Sequence, residues 1–363
     1  WPLGDGPEFR GVFDRQASQV HLFERTPGGA YQAPVNVRDI HDQTVRDTIA
    51  PDVYERVCHE LELLDGAGAD FDLQGVRTGK LSPVFFGSAA NNFGVQLLLD
   101  RFLELAMPPG PRRVGDTLVD PVSPSFSGFV FKIQANMNPR HRDHVAFIRI
   151  VSGAFQRDMN VLNPRTGKSV RLANSQRLFA QERETIDTAW AGDVVGIVGN
   201  YDFMIGDTLT EREGIVFDEI PRFPPECFAF LHNPSTAKFK RFREGLDQLL
   251  KEGLAQSFEL TGAGQRVPLL GAVGPLQFEV LKYRLETEYA ADCRVEQASW
   301  TLARWLRLKS GAPVREEPPL PTGAVFCRDI MGAPVGLFQT AWSVNYFEDN
   351  NRDWETSLVP FAG

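Results

Sequence analysis

The chain of 363 residues has an ordinary globular composition, with 42% hydrophobic and 23% charged residues, and its length predicts two or three domains with separate cores. The net charge of -9 argues against a surface that coats nucleic acid broadly, so contact with RNA requires local basic clusters. The four cysteines lack disulfide or metal spacing, which is typical of a reducing cytoplasm. Because no apolar run approaches the roughly 20 residues that span a bilayer, no membrane partner is predicted.

The first predicted region, residues 1–107, mixes strands and helices. A short apolar strand, Leu81 to Phe86, leads through a glycine into a helix from Phe93 to Leu105, with Asn91 or Asn92 as its cap. The apolar residues of this helix lie on one side: Val95, Leu98, Leu99, Phe102 and Leu105. A strand that turns through glycine into a helix is typical of an α/β fold.

A proline-rich linker, residues 108–122, is predicted next, because its prolines cannot continue a helix. Residues 123–213 then carry almost only strand and turn signals, and short strands at this spacing predict a small barrel. Two of these strands lie on either side of the polar loop 135–144. In the first strand, Phe129, Phe131 and Ile133 alternate with other residues and are predicted to share one face.

The third region, residues 219–363, predicts the order β-α-β-β-α-β, which is the split βαβ, ferredoxin-like arrangement. Its first helix is predicted from Thr236 to Glu252 and its second from Pro275 to Tyr289. The apolar face of the first helix is predicted to hold Phe239, Phe242, Leu246, Leu249 and Leu250. That of the second is predicted to hold Leu276, Val280, Leu281, Tyr283 and Leu285. The tail 309–363 is predicted to be irregular.

Two stretches imitate nucleotide-binding motifs. Gly167-Lys168-Ser169 has the last letters of a phosphate-binding loop, but the required earlier glycine is Leu162 and the flanking segments are both strands. Asp329 to Gly332 spells Asp-x-x-Gly, a pattern that often arises by chance. The sequence contains no Asn-Lys-x-Asp motif. We therefore predict no phosphate-binding loop in these residues, no catalytic residue and, since a zinc site needs three or four ligands, no metal site.

Three groups of residues remain as candidate site residues. Ser88, Ala89 and Ala90 follow the predicted strand, where small side chains allow close approach of a ligand to the backbone; the alternative is a plain turn. A basic loop holds Arg140, His141 and Arg142. A basic cluster on the predicted helix from Thr236 holds Lys238, Lys240, Arg241 and Arg243. Both basic groups are candidates for RNA phosphate contact, and the alternative for each is a solvated surface.

These stretches of sequence resemble translational GTPases, and among them the bacterial peptide chain release factor 3 family. The resemblance covers nearly the whole chain, from Trp1-Pro2-Leu3-Gly4 and the stretch Pro83 to Ala89 onward. It continues through Ile205-Gly206-Asp207-Thr208-Leu209 and through Leu276-Gln277-Phe278-Glu279-Val280. The loop departs from the family pattern at Asn138 and at His144, which removes one charge at each place.

This resemblance implies that residues 1–107 are the C-terminal part of a GTP-binding domain whose N-terminal part is lacking. Residues 123–213 then correspond to the elongation-factor-like second-domain barrel, and residues 219–363 to the α+β C-terminal domain. In the complete protein, GTP or GDP with magnesium is the implied cofactor, and Ser88, Ala89 and Ala90 are the implied remnant of guanine recognition. This chain alone is expected to bind no nucleotide tightly and to be inactive as a GTPase.

The implied function is to use GTP on the ribosome to eject class I release factors after peptide release. The implied partners are ribosomal RNA and a small-subunit protein, with class I release factors as indirect partners, and a cytoplasmic monomer that binds neither membrane nor DNA is expected. Two alternatives stay open at this point. One is an elongation-factor-G-like GTPase, and the other is a non-catalytic ribosome-binding paralogue.

Overall fold

A computed structural model of the chain describes residues 1–23, 35–68, 70–135, 144–179, 182–199, 201–218, 220–261 and 267–361. The chain divides into two compact units, Trp1–Pro108 and Pro109–Gly363. Within the described ranges, no helix combines the length and the apolar character needed to cross a membrane.

In its described residues, the first unit combines a small antiparallel sheet with four α-helices. Its elements are β1 (Gly11–Asp14), β2 (Gln19–Phe23), β3 (Val35–Arg38), α1 (Gln43–Thr48), α2 (Pro51–Gly66), α3 (Leu73–Arg77) and α4 (Val95–Leu105). The strand order is β1-β2-β3. Helix α2 begins with a proline, whose fixed φ suits a first helical turn. Its buried residues Val53, Val57 and Leu61 follow helical spacing and share a core with Val20 and Leu22.

Two elements of the first unit differ from the sequence predictions. Helix α4 is capped by Gly94 at a φ of 68°, in the left-handed region that favours glycine, and not by an asparagine. None of its residues is buried, and the predicted apolar face is exposed at Leu98, Leu99 and Phe102. The predicted strand Leu81–Phe86 has no ladder partner among the described residues. Residue spacing shows which residues share an apolar face, but it does not show whether another part of the protein covers that face.

The second unit begins with strands that form an eight-stranded antiparallel sheet and two two-stranded sheets. Its first strands are β4 (Arg112–Val114), β5 (Thr117–Val119), β6 (Ser127–Ala135), β7 (His144–Ser152), β8 (Ala154–Gln156), β9 (Asn160–Asn163), β10 (Lys168–Arg171), β11 (Ser175–Phe179), β12 (Glu182–Thr185), β13 (Thr188–Trp190), β14 (Val194–Val198) and β15 (Thr208–Thr210). The large sheet has the order β10-β9-β15-β6-β7-β14-β11-β12, and β8 and β13 form a two-stranded sheet. The hairpin β4–β5 lies within the predicted linker and packs Val114 and Val119 beside Phe217.

The large sheet surrounds one apolar core, to which β6 and β7 contribute most directly. In β7 the side chains alternate as in a half-buried strand, with Ala146, Ile148 and Ile150 in the core. The same alternation was predicted for β6. In β6 it fails, because a register shift between Val130 and Lys132 inserts an extra residue and leaves Phe131 36% exposed. A β-bulge of this kind turns the strand, so that Val130 and Ile133 both face the core although they are three residues apart.

A buried ionic cluster fixes the turn between β9 and β10 to the start of β15. Asp207 is buried, and its carboxylate accepts hydrogen bonds from the Asn163 amide at 2.9 Å, the Arg165 Nε at 2.6 Å and the Met204 N–H at 3.0 Å. The guanidinium of Arg165 also donates to the carbonyl of Asp202. The hydrogen bond to Asp207 raises the pKa of Arg165. The stretch that imitates a phosphate-binding loop therefore belongs to a structural turn.

The C-terminal part of the second unit contains a second eight-stranded antiparallel sheet. Its elements are β16 (Cys227–His232), α5 (Phe239–Lys251), β17 (Gln256–Leu260), β18 (Leu269–Ala272), α6 (Leu276–Glu288), β19 (Arg294–Gln297), β20 (Leu302–Leu308), β21 (Val325–Asp329), β22 (Pro334–Phe338), α7 (Ala341–Asn350) and β23 (Trp354–Ser357). The strand order is β19-β16-β18-β17-β21-β22-β20-β23. The elements β16 to β19 have the predicted order β-α-β-β-α-β. The tail predicted to be irregular instead supplies β21, β22, α7 and β23.

This sheet is strongly curved around an apolar core on one face. The rings of Phe258 on β17 and Trp305 on β20 lie 6.4 Å apart, although two strands separate β17 from β20. In a flat sheet three steps between strands span about 14 Å. On the concave face, the side chains of the strands pack against one another. On the opposite face, α5 and α6 cover β16 and β18 through Phe242, Leu246 and Phe278.

The buried face of α6 matches the predicted one only at Leu281 and Leu285. Phe278, Leu281 and Leu285 are buried, whereas Leu276 and Tyr283 are exposed by 69% and 66%. Both groups of residues recur at helical spacing, so periodicity alone does not distinguish the covered side of this helix from the open one.

Candidate functional site

The first candidate group, Ser88 to Ala90, forms the tip of a closed turn in the first unit. The backbone of Ser88 donates to the carbonyl of Phe93 at 3.0 Å and accepts from its N–H at 2.9 Å. Gly87 permits this closure, since a Cβ there would lie 2.6 Å from the Phe93 carbonyl oxygen. Ala89 and Ala90 are exposed at the tip. The Ser88 N–H is already hydrogen-bonded within the turn, so Ser88 does not offer this donor to a ligand.

The second candidate group, the basic loop with Arg140, His141 and Arg142, lies outside the described residues. Its contact with RNA remains a prediction from the sequence. Among the residues that the structure does describe, no group of three or more His, Cys, Asp or Glu side chains is arranged to hold a metal ion.

The third candidate group lies at the start of α5 and divides into two parts. Lys240, Arg241 and Arg243 are exposed. Lys238 instead lies in the short 3-10 turn before the helix, where its Nζ is 2.6 Å from the Asp292 carboxylate. Phe239, predicted to be buried, is 52% exposed. We name Phe239, Lys240, Arg241 and Arg243 the basic helix surface.

Sequence reasoning missed the aromatic member of this surface. Phe239 and Arg243 are four residues apart and therefore lie on neighbouring positions of the helix. An exposed aromatic ring beside cations is the combination that binds single-stranded RNA, through base stacking and phosphate contact. The signal in the sequence was the position of Phe239 as the first residue of α5, ahead of Phe242, where the buried face with Leu246 and Leu249 begins.

A further polar contact, which was not predicted, joins β6 of the first large sheet to the end of helix α5, which covers the second sheet. Helix α5 ends in a Schellman motif, in which Gly253 has a φ of 77° and Leu254 donates to the carbonyl of Leu249. This end positions the cap residue Glu252, whose carboxylate accepts the backbone N–H of Ala135 at 2.6 Å. Ala135 is the last residue of β6 before the basic loop. We name this contact the inter-sheet clasp.

Arg284 on α6 holds the clasp in place. Its guanidinium donates to both oxygens of Glu252, and it donates to the carboxylate of Glu288 at 2.7 and 3.0 Å. Burial by itself lowers the pKa of Arg284, but the carboxylates of Glu288 and Glu252 raise it overall. The Glu252 side chain is only 9% exposed. The root of the basic loop is therefore fixed to the C-terminal sheet by a buried, charge-assisted contact.

Replacing Glu252 by alanine is expected to destabilise the second unit by about 1–3 kcal/mol, because the buried N–H of Ala135 loses its acceptor. Urea unfolding measures this loss, and hydrogen exchange at the Ala135 amide is expected to accelerate. Glu288→Ala is the matched control, since it removes only the more exposed partner of Arg284 and is expected to cost less than about 1 kcal/mol. Equal losses for the two variants, with unchanged exchange at Ala135, would contradict the clasp.

Two family models match stretches of the second unit. Residues 125–212 match the family model described as elongation factor G domain 2. Residues 217–348 match the model described as class II release factor RF3, C-terminal domain. A crystal structure of a protein from Thermus thermophilus aligns with a TM-score of 0.58 and 22% identity, over 85% of this chain and 46% of that one. The chain is therefore a multidomain protein with an elongation-factor-like fold.

Curated relatives specify the family. The chain is 48% identical over 351 residues to a peptide chain release factor 3 of Gloeobacter violaceus, an alignment that covers 97% of this chain and 66% of the relative. It is 44% identical over 365 residues to the factor of the same name from Synechococcus elongatus, covering 100% of this chain and 65% of the relative. The chain belongs to the peptide chain release factor 3 family. It spans about two thirds of the length of these relatives.

Proposed function

We propose that this chain is the ribosome-binding part of a cytoplasmic translation-termination GTPase that promotes dissociation of class I release factors after peptide release. The observation that carries the proposal is the 48% identity to a peptide chain release factor 3 over 97% of the chain. Residues 123–213 are then the second domain and residues 219–363 the C-terminal α+β domain. The ribosomal partners are RNA and a small-subunit protein.

Residues 1–107 form, in this proposal, the C-terminal part of a GTP-binding domain. The support is the apolar surface that this unit leaves open, at α4 and at residues 81–87, where Val84 is 72% exposed. We infer that the part of the relatives that this chain does not match covers this surface. That part would also hold GTP or GDP with magnesium, since these 363 residues contain no phosphate-binding loop. The exposed Ala89 and Ala90 would then contact the guanine edge.

A factor-recycling assay tests the proposed function. A chain extended to the full length of the relatives is expected to accelerate the release of a class I factor from ribosomes after peptide hydrolysis, and only with GTP. Acceleration of translocation without effect on recycling would favour an elongation-factor-G-like role. Ribosome binding without either activity would favour a non-catalytic paralogue, which the match to the elongation factor G domain 2 model also allows.

The basic helix surface is the proposed RNA contact of the C-terminal domain. Replacing Lys240, Arg241 and Arg243 by glutamine is expected to weaken ribosome binding and to flatten its salt dependence, since each lost phosphate contact lowers the log–log slope by roughly 0.7–0.9. Sedimentation with ribosomes at several salt concentrations measures both effects. Phe239→Ala is expected to weaken binding with little change in slope, because stacking releases no counterions.

The matched control removes the same number of positive charges at other positions of the second unit. Replacement of the exposed Lys168, Lys309 and Arg352 by glutamine is expected to leave the affinity and the slope nearly unchanged. Lys238→Gln is expected to have a smaller effect than the triple variant, because Lys238 is paired with Asp292. If the triple variant and the control weaken binding equally, the basic helix surface is a solvated face and not an RNA contact.

A further inference from the structure

The turn that begins at Ser88 contains a side-chain contact that the proposed function does not use. The amide Nδ2 of Asn91 donates to the hydroxyl oxygen of Ser88 at 3.0 Å. The turn ends at Phe93, whose backbone forms both of the hydrogen bonds to Ser88 that close it. We name the hydrogen bond between Asn91 and Ser88 the turn brace. It links the first residue of the turn to the fourth, across the exposed tip.

The base of this turn is held by a small core of the first unit. Phe93 is buried together with Val12, and its ring stacks on that of Phe9 with the two centroids 6.2 Å apart. The next residue, Gly94, has so little space around it that an added Cβ would lie 2.7 Å from the Phe86 carbonyl oxygen. The base is therefore fixed by burial and by close backbone contact, independently of the tip.

The tip is held by contacts within the turn itself. Ala89, Ala90 and Asn91 are exposed, so burial does not fix them. Asn92 has a φ of 55°, in the left-handed region that asparagine tolerates, and its N–H donates to the carbonyl of Ala89 at 3.1 Å. Within the described part of the chain, this bond and the turn brace are the hydrogen bonds that cross the tip. The brace is therefore a main constraint on the tip.

The tip presents three successive backbone donors to solvent. Among the described residues, none accepts a hydrogen bond from the N–H of Ala89, Ala90 or Asn91. Successive N–H groups in a turn form a concave site that holds an electronegative acceptor atom. The O6 atom of guanine is such an acceptor, whereas adenine has a donating amino group at that position. The tip is therefore suited to guanine as long as its donors are held in place.

We propose that Asn91 is a positioning residue for guanine specificity, which braces Ser88 so that the backbone donors of the tip face O6 of the base. The inference rests on the proposed function, because residues 1–107 would hold the base only as part of a complete GTP-binding domain. Asn91 acts through Ser88 and the backbone, and its side chain does not touch the base. A braced tip loses less conformational entropy on binding, and it discriminates against a poorer acceptor because its donors do not adapt.

A double-mutant cycle in a chain extended to the full length of the relatives tests this inference. Asn91→Ala, Ser88→Ala and their combination are titrated with GDP and with 6-thio-GDP, in which sulfur, a weak acceptor, replaces O6. Asn91→Ala is expected to weaken GDP binding about threefold to tenfold, and to reduce the preference for GDP over 6-thio-GDP by a similar factor. The combined variant is expected to lose no more than Asn91→Ala alone, since both substitutions remove the same contact.

Hydrogen exchange in the 363-residue chain provides a readout without nucleotide. In Asn91→Ala the amide of Asn92, which bonds across the tip, is expected to exchange faster. The amide of Phe93 at the base is expected to exchange as before, and the melting temperature is expected to stay nearly unchanged, because the brace is exposed. Gln96→Ala is the matched control, since it removes an exposed side-chain hydrogen bond on the neighbouring helix α4 and is expected to bind both nucleotides normally.

The outcomes separate this inference from the proposed function. An unchanged preference for GDP in Asn91→Ala overturns the inference and leaves the proposed function intact, and so do losses that add up in the combined variant. Equal weakening of GDP and 6-thio-GDP binding would show a merely structural role for Asn91 and overturns it as well. If the unmodified extended chain binds no guanine nucleotide, the proposed GTP-binding domain and this inference are both overturned.

Discussion

Replacement of Asp207 by alanine is expected to lower the free energy of unfolding of the second unit by about 3–5 kcal/mol, because it leaves the Arg165 charge without its buried carboxylate. The side chain of Asp207 is 3% exposed and that of Arg165 26% exposed, so water replaces the lost contact only in part. The amides of Asn163 and Met204 lose their acceptor in the same step. For a unit of this size the melting temperature is expected to fall by roughly 6–20 °C.

Calorimetry or urea unfolding measures this effect, and Asp202→Ala provides the control. Asp202 is hydrogen-bonded to Arg165 through its backbone carbonyl, and its exposed carboxylate acts on Arg165 only by Coulombic attraction. The control is therefore expected to change stability by less than about 0.5 kcal/mol. Similar losses for Asp202→Ala and Asp207→Ala would show that the turn depends on general charge near Arg165 and not on the buried carboxylate.

Replacement of Leu99 and Phe102 by serine is expected to destabilise a chain extended to the full length of the relatives much more than the 363-residue chain. In the 363-residue chain these side chains are 51% and 59% exposed, so the double variant is expected to change stability by less than about 1 kcal/mol. In a chain extended to the full length of the relatives, the same residues would be buried by the remainder of the GTP-binding domain. The substitution is then expected to cost at least about 3 kcal/mol.

Thermal unfolding of the two chains, each with and without the substitution, measures the difference. Gln96→Ala on the polar side of α4 removes only a 2.6 Å hydrogen bond to Asp100 and is expected to be nearly neutral in both lengths. A double variant that is nearly neutral in both chains would mean that α4 stays exposed. The proposal that residues 1–107 belong to a larger nucleotide-binding domain would then lose its structural support.

Much of the fold follows from local patterns. The hairpin β1–β2, the helix α2 and the strand β7 were predictable because their apolar residues recur at the period of the element itself. The order β-α-β-β-α-β follows from the same signals and is present in β16 to β19. The turn between β9 and β10 was predictable from its chemistry, and Gly167 has a φ of 66° there.

The candidate site was predictable only in part. The basic residues of α5 are adjacent in the sequence, so their cluster can be read directly, but the pairing of Lys238 with Asp292 joins residues 54 apart. The inter-sheet clasp joins Ala135 to Glu252 across 117 residues. Contacts of this kind depend on how sheets pack, which single-sequence patterns do not encode.

The family, the types of most elements and the positions of charge could all be predicted from sequence, because each depends on residues close together in the chain. Which apolar face is covered depends instead on packing between distant segments. On α6, Phe278 is buried and Leu276 is exposed. In β6 a bulge exposes Phe131, and on α5 Phe239 is exposed beside the cations. Burial requires a neighbouring surface, whereas periodicity specifies only which residues share a side. The turn that follows Asp329 likewise depends on a distant residue, because the Asp329 carboxylate accepts the indole N–H of Trp305, which β20 brings from 24 residues away.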